Sequence, residues 1–114
     1  MTHSVIKAAV STTALLLALS PLAVLSADGE KLYRTKTCST CHGKDGKTPI
    51  LPMYPKIAGQ NKEYTLQQMA DIKSGARSNG QSAAMKGVMH LVSEDEMKAL
   101  SDYIATMTPF MAAL

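Results

Sequence analysis

Apolar and polar positions divide the chain into an uncharged N-terminal run and a longer region with helical periodicity. The run extends from residue 8 to residue 25 without a charge and follows the basic Lys7. Small residues close it just before the first acidic side chain, Asp28. A basic start, an apolar stretch and a small-residue end predict a secretory signal peptide over residues 1–27. An uncleaved anchor is the alternative, because the run is borderline in length for crossing a bilayer.

Three capped, periodic segments in the region after residue 27 predict three main helices. Asn61 and Gly75 are typical of the start and the end of the second helix. Ser93 and Glu96 form a capping-box pattern at the start of the third helix, and acidic side chains fill its first turn. The helices are predicted at about residues 28–37, 62–74 and 94–107, with apolar stripes at Thr65, Met69 and Ile72 and at Met97, Leu100, Ile104 and Met107.

Two long loops, residues 43–60 and 75–92, separate these helices and carry most of the prolines and glycines. No segment alternates apolar and polar positions as a strand would, so the predicted fold class is all-α, with three main helices and long loops. Residues 28–114 make up only 87 of the 114 residues, a size at which a domain usually needs an additional stabilising element. Loops of this length are uncommon in so small a domain unless they are functional.

The motif that carries chemistry is Cys38-Ser39-Thr40-Cys41-His42, a C-x-x-C-H pattern typical of c-type haem attachment. Cys38 and Cys41 have the spacing to form two thioethers with the vinyl groups of one porphyrin. His42, the next residue, is then held under the iron as an axial ligand. The motif uses both cysteines of the chain and predicts one covalent haem c, which the two loops would enclose.

Three other interpretations of the cysteine pair explain less. A thioredoxin-type redox pair requires a βαβ context, which the pattern does not predict. A zinc site requires a second pair of ligands, and the mature region contains only His90 besides the motif histidine. A simple disulfide explains neither the adjacent His42 nor the long loops.

A low-spin electron carrier needs a second strong ligand on the iron, and methionine sulfur favours the reduced state. Met69, Met97 and Met107 belong to helical stripes, where methionine is normally core filler. The second loop offers Met85, Met89 and the adjacent His90, and spacing alone does not choose among them. Outside these segments, Met53 lies in the first loop and Met111 near the C-terminus.

Composition narrows the possible partners. Four Tyr, one Phe and no Trp make a poor aromatic core, which a buried porphyrin would supplement. Without residues 1–27 the formal net charge is +2, from 11 basic and 9 acidic residues. This charge is too small to indicate nucleic acid or an anionic membrane surface as a partner. Lysines flanking the loops are candidates for a weak docking rim for redox proteins, or are simply solvated; they are Lys36, Lys44, Lys47, Lys56 and Lys86.

Four further segments carry a family resemblance. They are Gly29-x-x-x-Tyr33, Leu100-x-x-Tyr103, Pro55-Lys56-Ile57-Ala58-Gly59-Gln60, and the stretch from Ser74 through Met85 to Val92-Ser93-Glu94-Asp95-Glu96. Together they make residues 28–108 similar to class I cytochromes c. The resemblance is strongest to a small bacterial branch, which includes the halves of the dihaem cytochrome called c-four and the haem subunit of flavocytochrome c sulfide dehydrogenase.

The resemblance implies roles for particular residues. The first and last helices should cross closely at Gly29. The carbonyl of Pro55 should accept a hydrogen bond from His42 and so orient the ligand. Met85, seven residues before Val92, should be the second axial ligand, with Met89 as the fallback because residues 79–84 could shift the loop.

The expected protein is a periplasmic monohaem cytochrome c domain over residues 28–114, following a signal peptide over residues 1–27. It is expected to carry single electrons between redox proteins by Fe(III)/Fe(II) cycling, without stable membrane insertion and without being an enzyme itself. The first alternative is a haem-bearing electron-transfer subunit of a larger redox enzyme, such as a flavoprotein sulfide dehydrogenase. The second is a catalytic or gas-sensing haem with an open sixth position.

Overall fold

A computed structural model describes Val5, residues 8–11 and residues 27–109. Within these residues it contains five helices and no strand. None of the helices described has the length and apolarity that crossing a bilayer requires. The helices are α1 (Gly29–Thr35), α2 (Cys38–His42), α3 (Lys62–Ser74), α4 (Ser82–Met89) and α5 (Glu94–Thr106).

The all-α prediction is confirmed, and the capping residues act as the sequence indicates. The side chain of Asn61 accepts a hydrogen bond from the backbone N–H of Tyr64 at 3.0 Å and begins α3. Gly75 ends the same helix in the left-handed conformation. At α5, Ser93 and Glu96 form a complete capping box. The main helices therefore begin where the sequence provides acceptors for their first N–H groups.

Two short helices fall where the pattern predicted none. The first predicted helix, residues 28–37, ends at Thr35, and a separate helix, α2, carries the C-x-x-C-H motif. The prediction of a continuous loop over residues 75–92 is wrong, because α4 occupies its second half. Gly87 lowers the helix propensity of this segment, and its N-cap, Gln81, makes no side-chain capping bond. Tertiary packing of buried Met89 therefore stabilises a helix that the local sequence does not predict.

The first and last helices cross at a contact that only glycine permits. A Cβ atom at Gly29 would overlap the carbonyl oxygen of Ala99 and lie 2.7 Å from Cβ of Tyr103. Beside this contact the rings of Tyr33 and Tyr103 lie 5.7 Å apart between centroids and tilt by 59°. The close crossing implied by the resemblance is thus present, and an aromatic pair stabilises it.

The core lies between α1, α3, α4 and α5. Its fully buried apolar members include residues from both predicted stripes together with residues at the end of α4. They are Tyr33, Met69, Ile72, Met89, Val92, Met97, Leu100 and Ile104, and Met107 packs against them half-buried. The predicted signal peptide lies almost wholly outside the described residues, as does Met111. The assignment of residues 1–27 as a signal peptide stays a prediction.

Candidate functional site

The motif cysteines lie on one turn of helix. Cys38 and Cys41 are three positions apart on α2, so their side chains share one face. Both thiols are free and half-buried. Burial raises the pKa of the Cys38 thiol to about 11, so this sulfur is protonated at neutral pH. The residue before the helix, Thr37, has a positive φ of 65°, a strained conformation for a β-branched residue that sets the angle between α1 and α2.

His42 ends α2 and is held by one specific contact. Its ring is buried, with 8% of the residue exposed. Nδ1 lies 2.9 Å from the carbonyl oxygen of Pro55, and a carbonyl can only accept, so Nδ1 donates the proton. The other ring nitrogen, Nε2, then carries the free lone pair. Burial lowers the pKa of His42, while the Pro55 contact opposes this change, so the ring is neutral and suited to bind a metal.

Backbone hydrogen bonds hold the Pro55 segment beside the motif. The carbonyl of Gly46 accepts from the N–H groups of both Ile57 and Ala58, at 2.8 and 3.0 Å. The N–H of Ile50 donates to the carbonyl of Cys41 at 3.0 Å. The Ile50 contact ties the first loop to α2, and the Gly46 contacts close the loop on itself next to Pro55.

Tyr33 provides a further anchor that the sequence analysis did not identify as a site residue. Its hydroxyl donates to the carbonyl of Gly43, directly after His42, at 2.7 Å. Burial of the phenol is the main reason that its pKa is raised, so it stays a donor throughout the usual pH range. The side chain links α1 to the end of α2. Tyr33 and Gly43 lie ten residues apart in different elements, so no local sequence pattern predicts the contact.

The three candidates for a second ligand lie in different environments along α4. Met89 is 2% exposed and belongs to the core. Met85 is half-buried and packs against the edge of that core. His90 caps the end of the helix and is exposed. Met53, from the first loop, is 63% exposed.

These residues fit a c-type haem by the chemistry of their donors. Two free thiols on one helical face can each add across a vinyl double bond. Beside them, a neutral imidazole presents Nε2 with its lone pair free and its other nitrogen fixed by Pro55. Within the described residues no group of three or more His, Cys, Asp or Glu side chains could hold a metal ion, so a four-ligand metal centre has no matching donor set there.

Comparison with known proteins points to one family. The family profile described as cytochrome c matches residues 26–108. Cytochrome c4 of Stutzerimonas stutzeri is 36% identical over 88 residues, which cover 70% of this chain and 42% of that protein. A protein of Stutzerimonas stutzeri (strain A1501) named thiosulfate dehydrogenase electron acceptor is 34% identical over 97 residues, covering 78% of this chain and 44% of that protein.

The fold comparison agrees. A crystal structure of reduced recombinant cytochrome c4 from Pseudomonas stutzeri matches with a TM-score of 0.66 and 34% sequence identity. The match covers 73% of this chain and 48% of the other. The chain therefore spans less than half the length of these relatives.

Proposed function

Because the chain belongs to the cytochrome c family, we propose that it is a carrier of single electrons between redox proteins. The family match and its single C-x-x-C-H motif give the chain one covalent haem c. The haem iron supplies the one-electron Fe(III)/Fe(II) couple. The observation that carries the proposal is the His42–Pro55 contact, because it leaves Nε2 of a buried, neutral imidazole free for iron.

The cysteines and His42 take the roles that the motif suggests. Cys38 and Cys41 form the thioethers, and His42 is one axial ligand. Pro55 acts through His42, since its carbonyl fixes the ring orientation and increases the basicity of the coordinating nitrogen. Tyr33 supports this arrangement by holding Gly43, the residue that follows the ligand.

Met85 is the proposed second axial ligand. Met89 is enclosed by the core on the same helix, so its sulfur would have to leave that packing in order to bind iron. His90 is exposed at the C-terminal end of α4, and backbone hydrogen bonds already hold the chain in place there. Met85 is half-buried at the edge of the core, which leaves its side chain neither enclosed nor fully solvated.

The test of the carrier function is a visible spectrum and redox titration of the purified holoprotein. We expect one covalent haem and a reversible one-electron transition. Met85→Ala should lower the reduction potential and open the iron to added ligands, whereas Met89→Ala should mainly reduce stability. An unchanged potential and a closed site in Met85→Ala would move the assignment to Met89 or His90. Carbon monoxide binding to the untreated reduced protein would instead favour a haem with an open sixth position.

Export to the periplasm is part of the proposal. The uncharged run after Lys7 and the need to attach haem outside the cytoplasm both support it. The mass of the mature holoprotein tests this, since cleavage after Ser26 or Ala27 leaves a chain that begins at residue 27 or 28. Retention of residues 1–27 would favour an anchored form.

A second candidate function is an electron-transfer subunit of a larger redox enzyme. It is favoured by the relative whose name makes it the electron acceptor of a thiosulfate dehydrogenase. On either candidate the chain itself has no catalytic residues and its partners are redox proteins. Affinity purification from the native source separates the two, because a subunit stays with a larger protein at high salt and a free carrier does not.

A further inference from the structure

Two lysine side chains from different helices converge on consecutive carbonyls after α4. The ammonium of Lys36, the residue that caps α1, donates to the carbonyl of Leu91 at 2.7 Å. The ammonium of Lys73, in the last turn of α3, donates to the carbonyl of Val92. Both acceptors belong to the short connection between α4 and α5. We refer to these two contacts as the lysine clasp.

Electrostatics favours cations at this point. The carbonyl end of α4 carries the negative end of the helix dipole, and Lys36 and Lys73 contact the connection that follows it. Glu96 adds a full negative charge, with its Oε2 atom 3.4 Å from Nζ of Lys36. The pKa of Glu96 is lowered, first by the hydrogen bond from the backbone N–H of Ser93 and then by Lys36. Only 27% of the Lys36 side chain is exposed, so water screens the clasp less than an open surface pair.

The two ends of α4 differ in their side-chain hydrogen bonds. After Met89 the backbone continues in hydrogen-bonded turns, in which the N–H of Val92 donates to the Met89 carbonyl at 3.2 Å. Met89 and Val92 are both buried. The other end begins at Gln81, which makes no side-chain cap, and follows Gly80, which has a positive φ of 54°. Ser82, the first residue of the helix, is buried. The clasp adds side-chain hydrogen bonds at the C-terminal end.

We propose that Lys36 and Lys73 are positioning residues for the second iron ligand. By tying the connection after α4 to the end of α1 and to α3, the clasp resists the movement of the helix that would withdraw Met85 from the iron. The inference rests on the proposed function, in which Met85 is that ligand. It also removes Lys36 from the candidate docking lysines, because its ammonium is engaged within the fold.

Imidazole binding to the ferric holoprotein measures this resistance, because imidazole can bind only when the methionine has left. In Lys36→Met and in Lys73→Met we expect the affinity for imidazole to rise about tenfold, since a hydrogen bond from a charged donor contributes about that factor or more. Lys98→Met is the matched control. It removes the same charge from α5, where Lys98 forms an exposed pair with Asp95 at 3.6 Å. Its imidazole affinity should stay within about twofold of the parent protein, since exposed pairs contribute little.

The outcomes separate this inference from the proposed function. If the parent protein lacks the long-wavelength band of methionine-ligated ferric haem, or Met85→Ala keeps it, the ligand assignment fails. If that assignment holds but both clasp variants bind imidazole like Lys98→Met, the clasp inference is overturned, even where the variants unfold more easily. Lys36→Arg, which keeps a charged donor, should restore much of the parent affinity. If Lys73→Met yields no holoprotein, Lys36→Met alone tests the inference. This variant is expected to fold, because the carbonyl that it leaves without a donor belongs to Leu91, which is 68% exposed.

Discussion

Replacement of Gly29 by alanine tests the contact that joins the first and last helices. In the structure the new Cβ would overlap the carbonyl oxygen of Ala99 and lie 2.7 Å from Cβ of Tyr103 and 3.0 Å from the carbonyl carbon of Ala99. Carbon atoms in contact normally lie about 3.5–4.0 Å apart. Two of these three atoms belong to the backbone of α5, so rotation of a side chain cannot relieve the overlap.

The expected cost follows from this geometry. Overfilling a packed contact destabilises a protein by about 1–3 kcal/mol. Alanine has a better helix propensity than glycine by up to about 1 kcal/mol, but Gly29 is the first residue of α1, where this gain is small. We therefore expect the free energy of unfolding to fall by about 1–3 kcal/mol. In a domain of this size each kcal/mol lowers the melting temperature by roughly 4–8 °C.

Chemical denaturation of the holoprotein, followed by circular dichroism, measures the change. Gly87→Ala is the matched control, because Gly87 lies inside α4 and, among the described residues outside the backbone of that helix, no atom lies within 4 Å of the position of its Cβ. That variant should be more stable by up to about 1 kcal/mol. If Gly29→Ala unfolds at the parent's denaturant concentration while Gly87→Ala behaves as expected, the close crossing of α1 and α5 is wrong.

Four further substitutions test local features, three by denaturant unfolding and one by the pH dependence of stability. Thr37→Gly should raise the free energy of unfolding by about 1 kcal/mol, because it relieves a positive φ at a β-branched residue; a lower midpoint would contradict the strain. Tyr33→Phe should lower it by about 1–3 kcal/mol, since the carbonyl of Gly43 loses its donor. Ser93→Ala should lower it by about 1 kcal/mol through loss of the α5 cap. The folded pKa of Glu96 lies below its ordinary 4.5, so its contribution is complete above that value and is lost as pH falls through the folded pKa. Glu96→Gln should therefore flatten the acid side of the stability–pH curve, and an unchanged curve would refute this.

Local signals explain which parts of the fold could be predicted. α3 begins and ends where the sequence placed it, because Asn61 and Gly75 act on backbone groups within a few residues of themselves. The start of α5 was predicted for the same reason. α4 was missed because its residues have mixed propensity and its stability comes from burying Met89 in the core, where α4 packs against α3. Helix formation in so short a segment depends on tertiary contacts that no window of sequence contains.

The candidate site likewise has one part that the sequence predicts and another that only the folded chain creates. The spacing of Cys38, Cys41 and His42 is a property of the chain itself, so the sequence alone indicated haem attachment. Resemblance drew attention to Pro55, but the 2.9 Å contact that assigns the proton of His42 exists only in the folded loop.

The sequence by itself determined the haem motif, the capped ends of the main helices and the apolar stripes, because each acts over a few neighbouring residues. The tertiary structure decided the close approach of Gly29 to α5, the different burial of Met85 and Met89, and the contact between Lys36 and Leu91 across 55 positions of the chain. Contacts at such separations depend on how helices pack. Packing is set by the shape and burial of all the facing side chains together, which a local pattern does not record.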